Sequence, residues 1–112
     1  MSEISWDDFA SVELRIGPII EVVEFSEARK PAWKLTVDYG GEVGVRRASA
    51  QITDLYNRQD LAGKQIVGVV NLPAKQIGPI MSECLVSGFV QADGSVVLAV
   101  PDKPVANGLR LS

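Results

Sequence analysis

Lys34, Arg46, Lys64, Lys75 and Ser82 carry the side chains best suited to gripping a polyanion. The four cations have the charge and reach to meet phosphate oxygens, and the hydroxyl can read a base edge or a peptide backbone. Arg46 is followed by Arg47, and adjacent strand residues point to opposite faces. With Val43 and Val45 turned inward, Arg46 is expected toward solvent and Arg47 toward the interior. Close to Lys75 the chain becomes apolar, with Ile77, Ile80 and Met81 around Gly78-Pro79. Contiguous exposed apolar residues mark interaction sites, and methionine makes an adaptable wall. Three covers are open to this stretch: the body of its own domain, a second copy across a two-fold axis, or an extended apolar peptide. Ile77, Ile80 and Met81 are therefore candidate peptide-binding residues.

Other chemistry has little to work with. The chain has no histidine and one cysteine, Cys84, so neither a Ser-His-Asp nor a Cys-His nucleophile can be assembled from it alone. One cysteine also excludes an internal disulfide and a multi-cysteine zinc site. Cys84 follows Glu83 at the start of an apolar run, where a free cysteine packs as a small hydrophobe. No Walker-type or G-x-G-x-x-G loop is present. The expectation is a protein that is no enzyme and needs no cofactor or metal.

These side chains need a frame. At 112 residues, with 46% hydrophobic and 22% charged residues, the composition is that of one folded domain over 1–112 rather than of a disordered chain. The net charge of −3 argues against a general nucleic-acid binder, but its distribution is uneven. Residues 1–27 hold seven acids and one base, leaving ten bases and seven acids for the rest, so a locally basic face is possible under an acidic total. The acidic N-terminus lacks an apolar segment and no run approaches the length of a membrane helix. A cytoplasmic protein with no membrane insertion is expected.

Ser5 to Val12 reads as a short helix, with Ser5 as its cap and Asp7 and Asp8 in the positive first turn. A long strand follows from Glu13 to about Phe25, with a bulge or edge position at Gly17-Pro18. Trp33 to Tyr39 alternates as a half-buried strand, which sends Trp33 and Tyr39 to the core and leaves few exposed aromatics for base stacking. Gly40-Gly41 is the expected hairpin turn before a strand from about Val43 to Ile52. A helical turn over Thr53–Gln59, capped by Thr53 or Asp54, leads to the strand Gln65–Val70. That strand is apolar on both faces, so a helix or a partner subunit is expected to cover its outer side. Leu85–Val90 and Val96–Val100 follow, and Asn107-Gly108 precedes the tail Leu109-Arg110-Leu111. The order is that of an all-β Greek-key barrel with short helices: a five-stranded OB-fold with a short N-terminal helix and C-terminal extension strands.

The stretch from Phe25 to Leu35 resembles the first hairpin of the tRNA-binding domain family. Tyr56, Leu61, Gly63 and Lys64, then Asn71-Leu72, Lys75 and Ser82, are similar to its next two signatures, in the same order. Within that family the chain most resembles the CsaA-type secretion chaperones, through Asp38-Tyr39-Gly40, Ser49 to Thr53, Ser82-Glu83 and Pro101 to Gly108. The resemblance implies an OB-fold homodimer that binds unfolded or precursor proteins and contacts the protein-export machinery, with tRNA as the alternative partner. Gln76, Gly78 and Pro79 depart from the pattern of the tRNA-binding members, which counts against strong tRNA binding. The apolar tail, the loop Ile77 to Met81 and the doubly apolar fourth strand argue for a two-fold interface, in which Leu109 and Leu111 are placed.

Overall fold

A computed structural model describes all of residues 1–112. The chain begins with helix α1, Trp6–Ala10, closed by a capping box in which the Ser5 hydroxyl accepts from the Asp8 amide and the Asp8 carboxylate accepts from the Ser5 amide. Strand β1, Leu14–Glu24, then serves both halves of the barrel. Its first part pairs antiparallel with β4, Gln65–Val69, from Leu14 opposite Val69 to Pro18 opposite Gln65. Its second part pairs with β2, Trp33–Asp38, from Ile19 opposite Val37 to Glu24 opposite Trp33. Gly17-Pro18 sits where the partner changes. Pro18 has no amide to offer, and a Cβ on Gly17 would collide with Val37, the Asp38 carbonyl and the Tyr39 ring. The register slip itself lies one step further, between Ile19 and Glu21, rather than at Gly17-Pro18.

β2 pairs with β3, Val45–Ala50. The turn between them is longer than Gly40-Gly41: Gly40 and Gly44 both take positive φ, and the Tyr39 amide donates to the Gly44 carbonyl. The third strand therefore starts later than Val43. Helix α2 is Arg58–Leu61, and Asn57 caps it rather than Thr53 or Asp54. Asn57 and Asp60 form the reciprocal box that Thr53 and Asp54 cannot, since those two residues and Leu55 form a separate turn. α2 exists to insert Leu61, which is fully buried.

After β4 the chain makes a hairpin, β5 Lys75–Ile77 and β6 Ile80–Ser82, and returns as β7, Leu85–Val86. The sheet order β3-β2-β1-β4-β7 is a five-stranded, nearly closed antiparallel barrel, with the chain just before β7 returning to β3 through the Glu83 amide and the Arg47 carbonyl. This is the OB-fold expected from the sequence. A last hairpin, β8 Gly88–Val90 and β9 Val96–Leu98, follows. The Ala99 carbonyl accepts from the Val67 amide, which ties this extension to β4. No helix is long and apolar enough to cross a membrane.

The core includes Ile19, Leu35, Val37, Tyr39, Ala48, Leu61, Ile66, Cys84 and Leu98. β4 is buried on both faces within one chain, Ile66 and Val67 alike. Its outer side is thus buried without the helix or second copy that the sequence pattern assigned to it, and the Val67 amide is bonded to Ala99 of the C-terminal extension.

Candidate functional site: the groove across the third strand

OB-folds bind oligomers on the face of their second and third strands, between the loop joining strands 1 and 2 and the loop joining strands 4 and 5. Here that face carries an open groove of about 490 Å³. Glu27 to Lys30 and Ala32 line it from the β1–β2 turn, Ser49 and Gln51 from β3 and its end, and Gln76 to Gly78 from the β5–β6 hairpin. Arg29 and Lys30 enter none of the chain's five ion pairs, so their charges are available. None of the lining residues is aromatic.

The hairpin is held over β3 mainly by side chains. Ser82 Oγ lies 3.4 Å from both the Ser49 amide, whose hydrogen it accepts, and the Cys84 carbonyl, to which it donates. The Glu83 carboxylate accepts from the Arg47 amide at 3.1 Å and pairs with its guanidinium at 3.8 Å. Lys75 is the register partner of Ser82, and both border a smaller cavity of about 140 Å³ with Leu72 and Leu85. Asn71 ties the loop back structurally: its Oδ1 accepts from the Glu13 amide and its Nδ2 donates to the Ser11 carbonyl.

The cations proposed from sequence do not form one patch. Lys34 is a register partner of Ser49 and so shares the groove's face. Its Nζ is engaged, 3.6 Å from Glu27 Oε1 and 5.0 Å from the centre of the Phe25 ring. Glu27's own backbone hydrogen bond, then the Lys34 charge, hold the Glu27 carboxyl below its usual range. Lys64 lies elsewhere, in a cavity of about 360 Å³ against Pro101 to Pro104, with its Nζ 6.0 Å from the Tyr56 ring.

The expected phase of β3 is inverted. Arg46 is opposite Val37 and Ala48 is opposite Leu35, so Arg46 shares the core-facing row, while Arg47 and Val45 face outward. Arg46 Nη1 donates to the carbonyls of Val70 and Glu83 at 3.3 Å, and its Nε to Val43 at 3.4 Å. One guanidinium thereby pins both ends of the excursion that carries the hairpin. The pairing with β2 puts the small Ala48 and Ala50 in the core-facing row; valine at 43 and 45 suggested the opposite.

The apolar loop is likewise split. Ile77 opposes Ile80, and Gln76 opposes Met81. Strand alternation then places Ile77 and Ile80 on one face and Met81 on the other. Ile77 is half-buried and borders the groove; Met81 is exposed. Arg29, Lys30 and Gln51 lie outside the candidates read from sequence, and Arg47, expected toward the interior, faces outward. The adjacent pair Arg29-Lys30 in the first inter-strand turn was the available signal, because that turn flanks the binding face of an OB-fold.

Beneath the site, the Tyr39 hydroxyl donates to Cys84 Sγ at 3.3 Å. Burial pushes the Cys84 thiol up, against the opposing pull of the Tyr39 hydrogen bond and the Arg46 charge, and burial raises the Tyr39 phenol as well. Both acids are held neutral in the fold. Their contribution to stability is full below the unfolded values of about 8.5 and 10 and is lost as pH rises above them. Urea midpoints should therefore fall between pH 8 and pH 10.5, and less so in Tyr39→Phe. An identical fall in that variant would show that the phenol takes no part.

A nearly closed five-stranded barrel with a groove between these two loops defines the chain as an OB-fold protein. The chain belongs to the tRNA-binding domain family, whose model matches residues 14–110. Among solved structures it is similar to the chaperone CsaA of Bacillus anthracis str. Ames, with 45% identity, a TM-score of 0.92, and 99% of this chain and 100% of that one covered. The CsaA chaperone protein of Picrophilus torridus matches at 42% identity and a TM-score of 0.90, over 98% and 100% of the two chains. The methionine–tRNA ligase of Thermococcus kodakarensis is 34% identical across 99% of this chain, which spans only 14% of that relative's length.

Proposed function

We propose that the chain works without chemistry, as a cytoplasmic homodimeric chaperone that holds unfolded or precursor proteins for secretion and delivers them to the protein-export machinery. The observation that carries this reading is the make-up of the groove. Ala28, Ala32 and Ile77 offer an apolar wall, Ser49, Gln51 and Gln76 offer hydrogen bonds for a peptide backbone, and no aromatic ring lines the groove for base stacking. The similarity to two CsaA chaperones supports it. Capture would act by mass action, since whatever binds the unfolded client withdraws it from aggregation. Leu109 and Leu111 stay exposed on the single chain, at 53% and 43%, and are the proposed two-fold contacts. Two grooves at fixed separation would gain avidity for one long client.

The second reading is tRNA. It is favoured by the unpaired cations Arg29, Lys30 and Lys75, which flank the groove and its hairpin. Lys34, tied to Glu27, and Arg46, tied to backbone carbonyls, have less to give a phosphate, and Lys64 lies apart.

Parallel titration with an unfolded precursor protein and with bulk tRNA, each at two salt concentrations, separates the readings. Phosphate-led binding falls steeply with salt, whereas apolar capture does not. In the chaperone reading, Ile77→Asp suppresses aggregation of an unfolded substrate less well while its circular dichroism is unchanged. Undiminished holding by that variant would remove the groove's apolar wall from the client site. Light scattering should give twice the 12.1 kDa chain mass, and a monomer would end the bivalent mechanism.

A further inference from the structure

We propose that the edge of β1 at Leu14–Ile16 is a second peptide-binding site, one that takes an extended strand with a cation between two apolar residues. The chain's own residues 108–111 occupy it in cis. At this point β1 pairs with β4 on one side only, because β2 does not reach it until Ile19. The opposite edge would be bare but for the tail. The Gly108 amide donates to the Ile16 carbonyl at 2.7 Å, the Ile16 amide to Leu109 at 3.0 Å, and the Leu111 amide to Leu14 at 2.9 Å. Arg15 and Arg110 form an antiparallel bridge between them. This is strand addition to a sheet edge, a recurring way in which an extended peptide is read through its main chain.

The edge also reads a side chain. Arg110 Nε lies 3.5 Å from Glu13 Oε2, and its Nη2 donates to the Ala10 carbonyl at the end of α1. Arg15 holds the same Glu13 oxygen at 2.8 Å and donates to the Gly108 carbonyl at 2.9 Å. A carboxylate and a carbonyl therefore await a cation at the middle position. On a single chain the flanking positions are filled by leucines that remain about half exposed, so in the monomer the tail is attached chiefly by solvent-accessible polar bonds. Segments held that way open at low free energy.

The release point is defined. The Gln65 side chain clamps Val105 and Asn107. Gly108, at φ +85°, is the turning residue beyond that clamp. Residues 109–112 can leave without disturbing the barrel, and the vacated edge then accepts an equivalent strand from another polypeptide. The site is separate from the groove over β3 and does not depend on what that groove binds.

The test is anisotropy of an N-terminally labelled peptide, Asn-Gly-Leu-Arg-Leu-Ser, titrated with the full chain, with full-length Arg110→Ala, and with a chain ending at Gly108. Weakening the tethered competitor should tighten binding to Arg110→Ala about tenfold over the natural chain, given millimolar effective concentrations for short tethers. The shortened chain should bind at least as well, and the peptide with arginine changed to glutamate should gain nothing. Amide exchange at Ile16 should quicken in Arg110→Ala while Ile66 stays protected. Equal affinity for the natural and Arg110→Ala chains, or equal binding of the glutamate peptide, overturns the proposal. Should the shortened chain fail to fold, the Arg110→Ala comparison decides alone. Light scattering of Arg110→Ala, which keeps Leu109 and Leu111, reports separately on the dimer.

Discussion

Tyr39→Ala is expected to destabilise the barrel by about 3–5 kcal/mol, the usual cost of truncating a buried aromatic side chain. Tyr39 is the largest of the fully buried side chains and closes one end of the core. Its ring and hydroxyl fill the space above Gly68, where a Cβ would overlap the hydroxyl, and lie against Gly17 on β1. The barrel has been shaped around it, with glycine on two neighbouring strands making room. Alanine would leave a cavity that rigid strands cannot close. Against total stabilities of about 5–15 kcal/mol for domains of this kind, the loss would be a large fraction. Tyr39→Phe isolates the hydroxyl, whose partner is the weak acceptor Cys84 Sγ, and should cost about 1 kcal/mol or less. Urea unfolding of both variants measures the split. Equal losses would mean that the polar contact, and not the packing, holds this end together.

Replacing Arg29 and Lys30 together by alanine is expected to have the largest effect on any RNA binding. Both are exposed, flank the groove and lie in no ion pair, so removing them costs the fold little. If a tRNA backbone crosses the groove, affinity should drop and the slope of log K against log salt should become shallower by about one to two units, since each lost phosphate contact removes nearly one released counterion. Holding of an unfolded protein should barely change in the same variant. Lost RNA affinity with an unchanged slope would place the phosphates elsewhere. Lost holding with RNA binding intact would make this pair part of the client site.

The contrast between Arg46 and Arg29 shows where sequence pattern stops being informative. Alternation along Trp33 to Tyr39 assigned every side chain of that strand to its face correctly, because large apolar residues at every second position leave one register that buries them. In β3 the buried positions are small, Ala48 and Ala50, while valines stand at 43 and 45; the pattern pointed the wrong way. The phase there is imposed by the pairing with β2, which no local property of β3 contains.

By itself the amino-acid sequence determined the class of fold, the capped first helix, the glycine-marked turns and the burial of Tyr39 and Cys84, all of which rest on local rules of capping, turn chemistry and periodicity. The order of its motifs also pointed to the family. Tertiary structure alone decided that Arg29-Lys30 and Ile77 border one groove, that Met81 turns away from Ile77, and that Lys64 lies apart. It also decided that β4 is covered from within and that Leu109 to Leu111 complete the edge of β1. The physical reason is that these are meetings between segments far apart in the chain. Their geometry is set by barrel closure and strand register, quantities that no single stretch of sequence carries.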